Sequence, residues 1–361
     1  MKHVDEFRDP AAAHNLLALI RRYSKHPLRL MEFCGGHTHA IFKFGLRQLL
    51  PETVQLMSGP GCPVCVTASC DVDRAMATAS LPGVIMTTFG DMMRVPGSQG
   101  SLQDAKARGA DVRMVYSPLD ALSMARANPD REVIFLAIGF ETTAPAVGAA
   151  ILQAEAGRLR NFSILSLHKL TPPATRAILD AGEVQLSGII GPGHVTTIIG
   201  AKAWNFLPQA YGIPCAIAGF EPLDILHAIH CLVDMVERRA PGVRNAYARS
   251  VRSEGNRVAQ QLMHRVFEVV EAEWRGLGPV PASGLSPCDE YAAFDAARRF
   301  PVTVRSRPEP RGCRCGEVLR GVAVPSDCPL FGKACTPEHP VGPCMVSSEG
   351  ACAAYVRYAE V

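Results

Sequence analysis

The sequence predicts an α/β protein: two similar parallel-sheet α/β domains from an apparent duplication, followed by a C-terminal helical and Cys-rich domain. Three observations carry this. Short continuous apolar runs alternate with helical patterns: "LRLMEF", "VQLM", "VIMTTF" and "VRMVYS", then "EVIFLAI", "FSILSL", "SGII" and "PCAIAGF". Such runs suit parallel strands covered on both faces. Two stretches also resemble each other, "VQLMSGPGCPVC" and "QLSGIIGPGHVTT", and each is followed by a helix and a strand ending in Gly and an acid. Finally, six of the 13 cysteines fall between residues 313 and 352.

At 361 residues the chain exceeds a single core, so several domains are expected. The reading places them at 1–128, 129–240 and 241–361. Val251, Val258, Leu262, Val266 and Val269 recur at helical spacing, which predicts a long helix over 244–278. Apolar residues make up 48% of the chain and charged ones 20%, an ordinary globular composition. A net charge of +3 with dispersed basic residues argues against nucleic-acid binding. The N-terminus resembles neither a signal peptide nor a spanning helix, so no membrane partner is expected and the protein reads as cytoplasmic.

Thirteen cysteines in a reducing compartment point to ligands or redox thiols. The turn "CGGHTH" places Cys34 at a strand end and His37 at a helix start. Glycines there let a ligand approach the backbone. A helix N-terminus favours thiolate, so Cys34 is a candidate metal ligand or nucleophile, with His37 as a second ligand or proton donor. The bland alternative is a tight turn with capping histidines. Cys62 and Cys65 form a C-x2-C at the next such turn, a spacing that serves metal binding or disulfide exchange. Soft thiolates with an imidazole suit iron, copper(I) or zinc. Cys70, Cys215, Cys231 and Cys288 read as structural.

The back segment "CRCGEVLRGVAVPSDCPLFGKACTPEHPVGPCMVSSEGAC" lacks the paired C-x2-C knuckles of a zinc ribbon. Its irregular spacing around Cys-Pro turns fits a 4Fe-4S cluster, with two cysteines left over as a redox dithiol. Spacing alone does not say which four bind. Glu141 and Glu221 sit at strand ends, either lining a cleft or serving a helix N-terminus. Asp91, Arg94 and His194 are treated in the same way. Neither GPG run continues into Gly-Lys-Ser/Thr, so no phosphate loop is expected.

With "CGGHTHAIFKFG", "SGPGCPVCVT", "TTFGDMMRVPGS", "GFETTAPA", "GPGHV" and "CPLFGKACTPEHPVGPCMVSSEGACAAY" together, the chain closely resembles the HypD family of nickel–iron hydrogenase maturation proteins over nearly its whole length. The resemblance implies two α/β domains and a C-terminal 4Fe-4S domain. It implies assembly of the hydrogenase Fe(CN)2CO unit together with the small chaperone HypC, with cyanide delivered by HypE after HypF forms its precursor. Position by position, it implies Cys34 as the iron anchor with His37 beside it, and Cys62 and Cys65 as a thiol pair across the cleft. Cys313, Cys328, Cys335 and Cys352 become cluster ligands, and Cys315 and Cys344 the redox pair. Such a protein is a redox-active scaffold rather than a turnover enzyme. An iron–sulfur dithiol oxidoreductase resembling ferredoxin–thioredoxin reductase is the alternative, and a zinc-binding interaction module the third reading.

Overall fold

Parallel strands dominate the fold, sorted into two sheets that chain order does not reveal. The computed structural model describes residues 4–305, 307 and 309–358. The strands are β1 (Leu28–Glu32), β2 (Val54–Ser58), β3 (Val84–Thr88), β4 (Asp111–Met114), β5 (Glu132–Ala137), β6 (Phe162–Ser166), β7 (Gly188–Pro192), β8 (Cys215–Ala218), β9 (Val243–Asn245), β10 (Phe267–Trp274) and β11 (Gly278–Pro287). One sheet runs β2-β1-β7-β8-β9 and the other β4-β3-β5-β6, every pair in both being parallel. The α/β class expected from the apolar runs is therefore observed. Every residue of β3 and of β7 is buried, as strands covered on both faces must be.

The expected boundary at residues 128/129 falls inside the second sheet, because β3 and β4 pair with β5 and β6. The first sheet is built from both ends of the α/β region: Leu30 aligns with Gly188 where β1 meets β7. The two resembling stretches are not placed equivalently either. β7 and β8 are neighbours, whereas β2 and β3 lie in different sheets. Local similarity around a glycine turn reports turn geometry, and long-range pairing is decided by which faces can be buried together.

The expected long helix over 244–278 is corrected. A helix spans only Arg257–Val266, and the chain then reverses as the antiparallel hairpin β10–β11. The β-branched and aromatic residues of "FEVVEAEW" favour a strand. Gly276 and Gly278, with φ of 83° and 74°, turn the chain where a side chain would be strained. Of the supposed apolar stripe, Val258 and Val269 are exposed, while Val251 is buried in a loop.

The hairpin braces the front of the molecule. The Arg275 N–H donates to Val66 O at 2.9 Å and its Nε to Thr67 O at 2.8 Å. The C-terminal helix Ala351–Tyr358 lies against the helix Gly35–Lys43, with Tyr355 and Phe42 ring centroids 4.5 Å apart. Arg47 closes that contact, donating to the Tyr355 hydroxyl at 2.6 Å and lying 4.6 Å above the Phe42 ring. Among the described residues, no helix is long and apolar enough to cross a membrane.

Candidate functional site

β1 ends at Glu32, and Cys34, still extended at φ −152° and ψ 124°, caps the helix Gly35–Lys43. The Cys34 carbonyl accepts from the His37 N–H at 2.9 Å and the Thr38 N–H at 3.2 Å. The Cys34 N–H donates to Glu32 Oε2 at 3.0 Å, and the Thr38 hydroxyl donates to the other oxygen of the same carboxyl. Glu32 thus ties the strand end to the first helical turn. Burial pushes its carboxyl up to about 8. Sequence reasoning missed this residue, although an acid ending an apolar strand two positions before the cysteine was a visible signal.

The sequence argument expected the helix N-terminus to lower the Cys34 pKa. The structure reverses that. Although Cys34 is half-buried by surface area, desolvation of its thiol and then the neighbouring Glu349 and Glu32 push it up to about 12, outweighing the Gly36 and His37 N–H groups that reach the sulfur.

Glycines hold three segments against this cysteine. The Gly35 N–H donates to Gly61 O at 2.9 Å, and a Cβ on Gly61 would collide with the Cys34 backbone. A Cβ on Gly35 would lie 2.5 Å from Glu349 Cβ and 2.6 Å from Glu349 O. A Cβ on Gly36 would stand 3.0 Å from the Phe220 ring and 3.7 Å from Cys34 Sγ. The loop before Cys62, the C-terminal segment and the end of β8 therefore converge on Cys34.

His37 is fully buried. Its Nε2 lies 3.2 Å from Ala218 O and 3.0 Å from Gly219 O, and its Nδ1 has no partner among the described residues. Carbonyl oxygens only accept, so Nε2 carries the hydrogen and Nδ1 is a bare lone pair. Burial lowers the imidazole to about 4, so the ring is neutral at physiological pH and its free nitrogen is an acceptor. That narrows the earlier alternatives: Nδ1 can bind a metal or accept a proton, and has none to give.

Cys62 and Cys65 are joined as a disulfide and are buried. Cys62 caps the single turn Pro63–Val66. Cys65 Sγ lies 3.9 Å from Pro343 O, next to Cys344.

All six C-terminal cysteines, Cys313, Cys315, Cys328, Cys335, Cys344 and Cys352, line one small cavity with Leu330, Phe331 and Met345. Cys315 and Cys344 sulfurs are 2.6 Å apart. Their contact lowers the Cys315 thiol and raises that of Cys344, which also touches Cys352. Desolvation, then Cys315, Cys328 and Cys335, pushes Cys313 up to about 12. Among the described residues no three His, Cys, Asp or Glu side chains converge as ligands of a single ion. A cubane binds each thiolate at a different iron, so its ligands surround a volume instead of meeting at a point. A cavity walled by thiols fits a cluster by its donor set.

The remaining candidates divide. Glu141 is buried, accepts from the Thr171 N–H at 2.9 Å and caps the helix Thr171–Ala181, and burial pushes it up to about 7. Glu221 caps the helix Pro222–Glu237 and pairs with Arg8 at 2.9 Å. Both do structural work. Arg94 donates to Pro337 O and Val346 O, fastening the Cys-rich segment. His194 stacks on Phe220 with centroids 3.9 Å apart, and Asp91 acts electrostatically on Glu349. Cys215 and Cys231 are buried, whereas Cys70 and Cys288 are half-buried.

A HypD family model, described as "Hydrogenase formation hypA family", matches residues 11–359. The hydrogenase maturation factor HypD of Azotobacter vinelandii is 52% identical, covering 99% of this chain and 97% of that protein. HypD of Cupriavidus necator is 48% identical over 99% and 97% of the two chains. That of Escherichia coli is 47% identical over 99% and 98%. A glycine-crowded Cys34 turn, a CPVC turn and a six-cysteine cavity thus sit in a chain similar from end to end to hydrogenase maturation factors, and the chain belongs to the HypD family.

Proposed function

We propose that this protein is a redox-active scaffold of hydrogenase maturation, on which the Fe(CN)2CO unit is assembled in the cytoplasm together with a HypC-type chaperone. Cyanide arrives from HypE after HypF has formed its precursor. The observation that carries the reading is Cys34, a thiol disfavoured as thiolate by burial and by Glu349 and Glu32, with the unpartnered Nδ1 of His37 three residues on. A cargo iron cation reverses that preference, since a coordinating thiol loses its proton, here to solvent. The glycines are taken up by Glu349, Phe220 and the chain's own backbone, so a chaperone would bring its own ligand to the same iron from the side on which Cys34 stays partly exposed.

Cys313, Cys328, Cys335 and Cys352 would hold the 4Fe-4S cluster, which supplies single-electron reduction when bound. Cys315 and Cys344, 2.6 Å apart, act as a dithiol. Its exchange with Cys62–Cys65 is supported by the 3.9 Å contact from Cys65 Sγ to the Pro343 carbonyl. In that exchange the dithiol is oxidised to a disulfide, and two electrons and two protons convert Cys62–Cys65 to thiols.

An infrared spectrum of anaerobically prepared protein bound to its HypC-type partner tests the reading, wild type against Cys34→Ala. Cyanide and carbonyl bands are expected in the wild type and lost in the variant. The adjacency of the two sulfur pairs also favours a dithiol/disulfide oxidoreductase acting on a partner disulfide. Wild-type protein with an intact cluster and no such bands would put that second reading first.

A further inference from the structure

We infer that Phe220 is a positioning residue for His37, holding the imidazole so that Nδ1 is the nitrogen offered to the Cys34 site. That Nε2 is the tethered nitrogen and Nδ1 the free one stands on geometry; that Nδ1 serves the Cys34 site rests on the assembly reading.

The segment Ala218–Phe220 grips His37 in two ways. The carbonyls of Ala218 and Gly219 accept from Nε2 at 3.2 and 3.0 Å, which assigns the tautomer. The Phe220 ring then lies on the imidazole, centroids 4.7 Å apart and planes 23° from parallel. On its other side Phe220 is stacked by His194, centroids 3.9 Å apart at 24°, so one phenyl ring is clamped between two imidazoles. Turning His37 about its ring bond would sweep it through the space Phe220 fills.

Gly36 belongs to the same device. A Cβ there would stand 3.0 Å from Phe220 Cδ1 and Cε1, closer than ordinary carbon contacts allow. The second glycine of "CGGH" therefore admits Phe220 to the Cys34 turn. Without a guest, Nδ1 is a buried acceptor lacking a donor, an arrangement native proteins seldom leave unexplained. An iron ion, or a protonated ligand on it, supplies the missing partner. In this scheme His194 keeps Phe220 pressed on His37 from the exposed side.

The test uses full-length protein labelled with 15N-histidine, without iron, read by long-range proton–nitrogen correlation. His37 signals are identified by their loss in His37→Gln. Wild type is expected to show a protonated Nε2 and a bare Nδ1. Phe220→Tyr, which keeps the ring, should retain that pattern. Phe220→Leu should show averaged tautomers, and His194→Ala broadened His37 signals. A protonated Nδ1 in the wild type overturns the inference, as does an unaltered pattern in Phe220→Leu. Should Phe220→Leu not fold, an unaltered pattern in His194→Ala has the same force. In the chaperone complex, cyanide and carbonyl bands of Phe220→Leu should be on the order of tenfold weaker, as expected for a misoriented group. Absence of those bands in the wild type, with the tautomer as stated, would remove the assembly reading and leave the positioning role standing.

Discussion

Gly35→Ala probes the join between the two ends of the chain. Its added methyl would lie 2.5 Å from Glu349 Cβ and 2.6 Å from Glu349 O. Neither atom is a flexible tip that can swing aside. Ordinary carbon contacts begin near about 3.5 Å, so the Cys34 helix and the Glu349 segment must part by roughly 1 Å. Overpacking of this kind costs about 1–3 kcal/mol, which a fold of about 5–15 kcal/mol survives. The geometric effect is larger, since a misplacement of about 1 Å costs on the order of 100-fold in a reacting site. Glu349 is followed by Gly350, which packs against the Cys344 backbone, so the shift reaches the cysteine cavity as well. The expected variant is soluble and slightly less thermostable, with cyanide and carbonyl bands about 100-fold weaker than wild type. Gly148→Ala is the control: its Cβ meets neighbours at 3.4 to 3.6 Å inside a helix, where alanine is worth about 1 kcal/mol over glycine. If Gly35→Ala assembles the iron unit as well as Gly148→Ala does, the argument that glycine keeps these segments in contact is refuted.

Glu141→Gln should flatten the pH dependence of stability. The folded carboxyl keeps its proton to about pH 7, against 4.5 for an unperturbed glutamate, so stability is full below pH 4.5 and falls by about 3 kcal/mol as pH rises through 7. Urea titrations at pH 5 and 8 should show that loss in the wild type and not in the variant; equal losses would rule the explanation out. His168, fully buried and lowered to about 3, acts oppositely, its neutral form favouring the fold above about pH 6.5 and losing that advantage as pH falls through 3. His168→Gln should therefore lessen acid destabilisation between pH 6.5 and 4, and an unchanged slope would count against it. Lys169 lies 3.4 Å from Asp71, both buried. Lys169→Ala leaves the buried carboxylate with only the more exposed Arg74, 3.8 Å away, and should cost up to about 3 kcal/mol, part of it restored by Asp71→Asn in a double-mutant cycle; additive losses would mean no coupling. Cys315→Ser should leave the Cys62–Cys65 disulfide oxidised after dithionite treatment that reduces it in the wild type, as alkylation and mass spectrometry would show. Full reduction in the variant would exclude Cys315 from the route.

Strands β1 to β8 and the turns bearing Cys34 and Cys62 were legible because continuous apolar runs and Gly-Pro punctuation are local signals, whereas the short β9 fell at the start of the stretch read as a helix. Which strands share a sheet was not. β1, between β2 and β7, pairs with β7 across nearly 160 residues, a choice that depends on burial of whole faces. The hairpin after Val266 was misread since Val258, Leu262, Val266 and Val269 fit helical spacing while the alternation inside "FEVVEAEW" was the stronger local cue. Glu32 and Phe220 escaped notice for a related reason: each acts by touching a residue whose importance was already visible, and contact is a tertiary property. The thiol pKa of Cys34 failed in the same way, with the helix N-terminus readable and Glu349, more than three hundred positions away, not.

That distance bears on when the site comes into being. Cys34 and His37 leave the ribosome early, but the carbonyls that fix His37 belong to residues 218 and 219, and the cover over Gly35 comes from residue 349. Contacts of such sequence separation form slowly and after local structure. A nascent chain therefore exposes Cys34 as an ordinary cysteine on an unfinished sheet edge, and the Cys34 turn gains its contacts from residues 218, 219 and 349 only once each has been made. The connectivity acts as a checkpoint in time: the Cys34 turn takes its described form only in a chain that already carries residue 349.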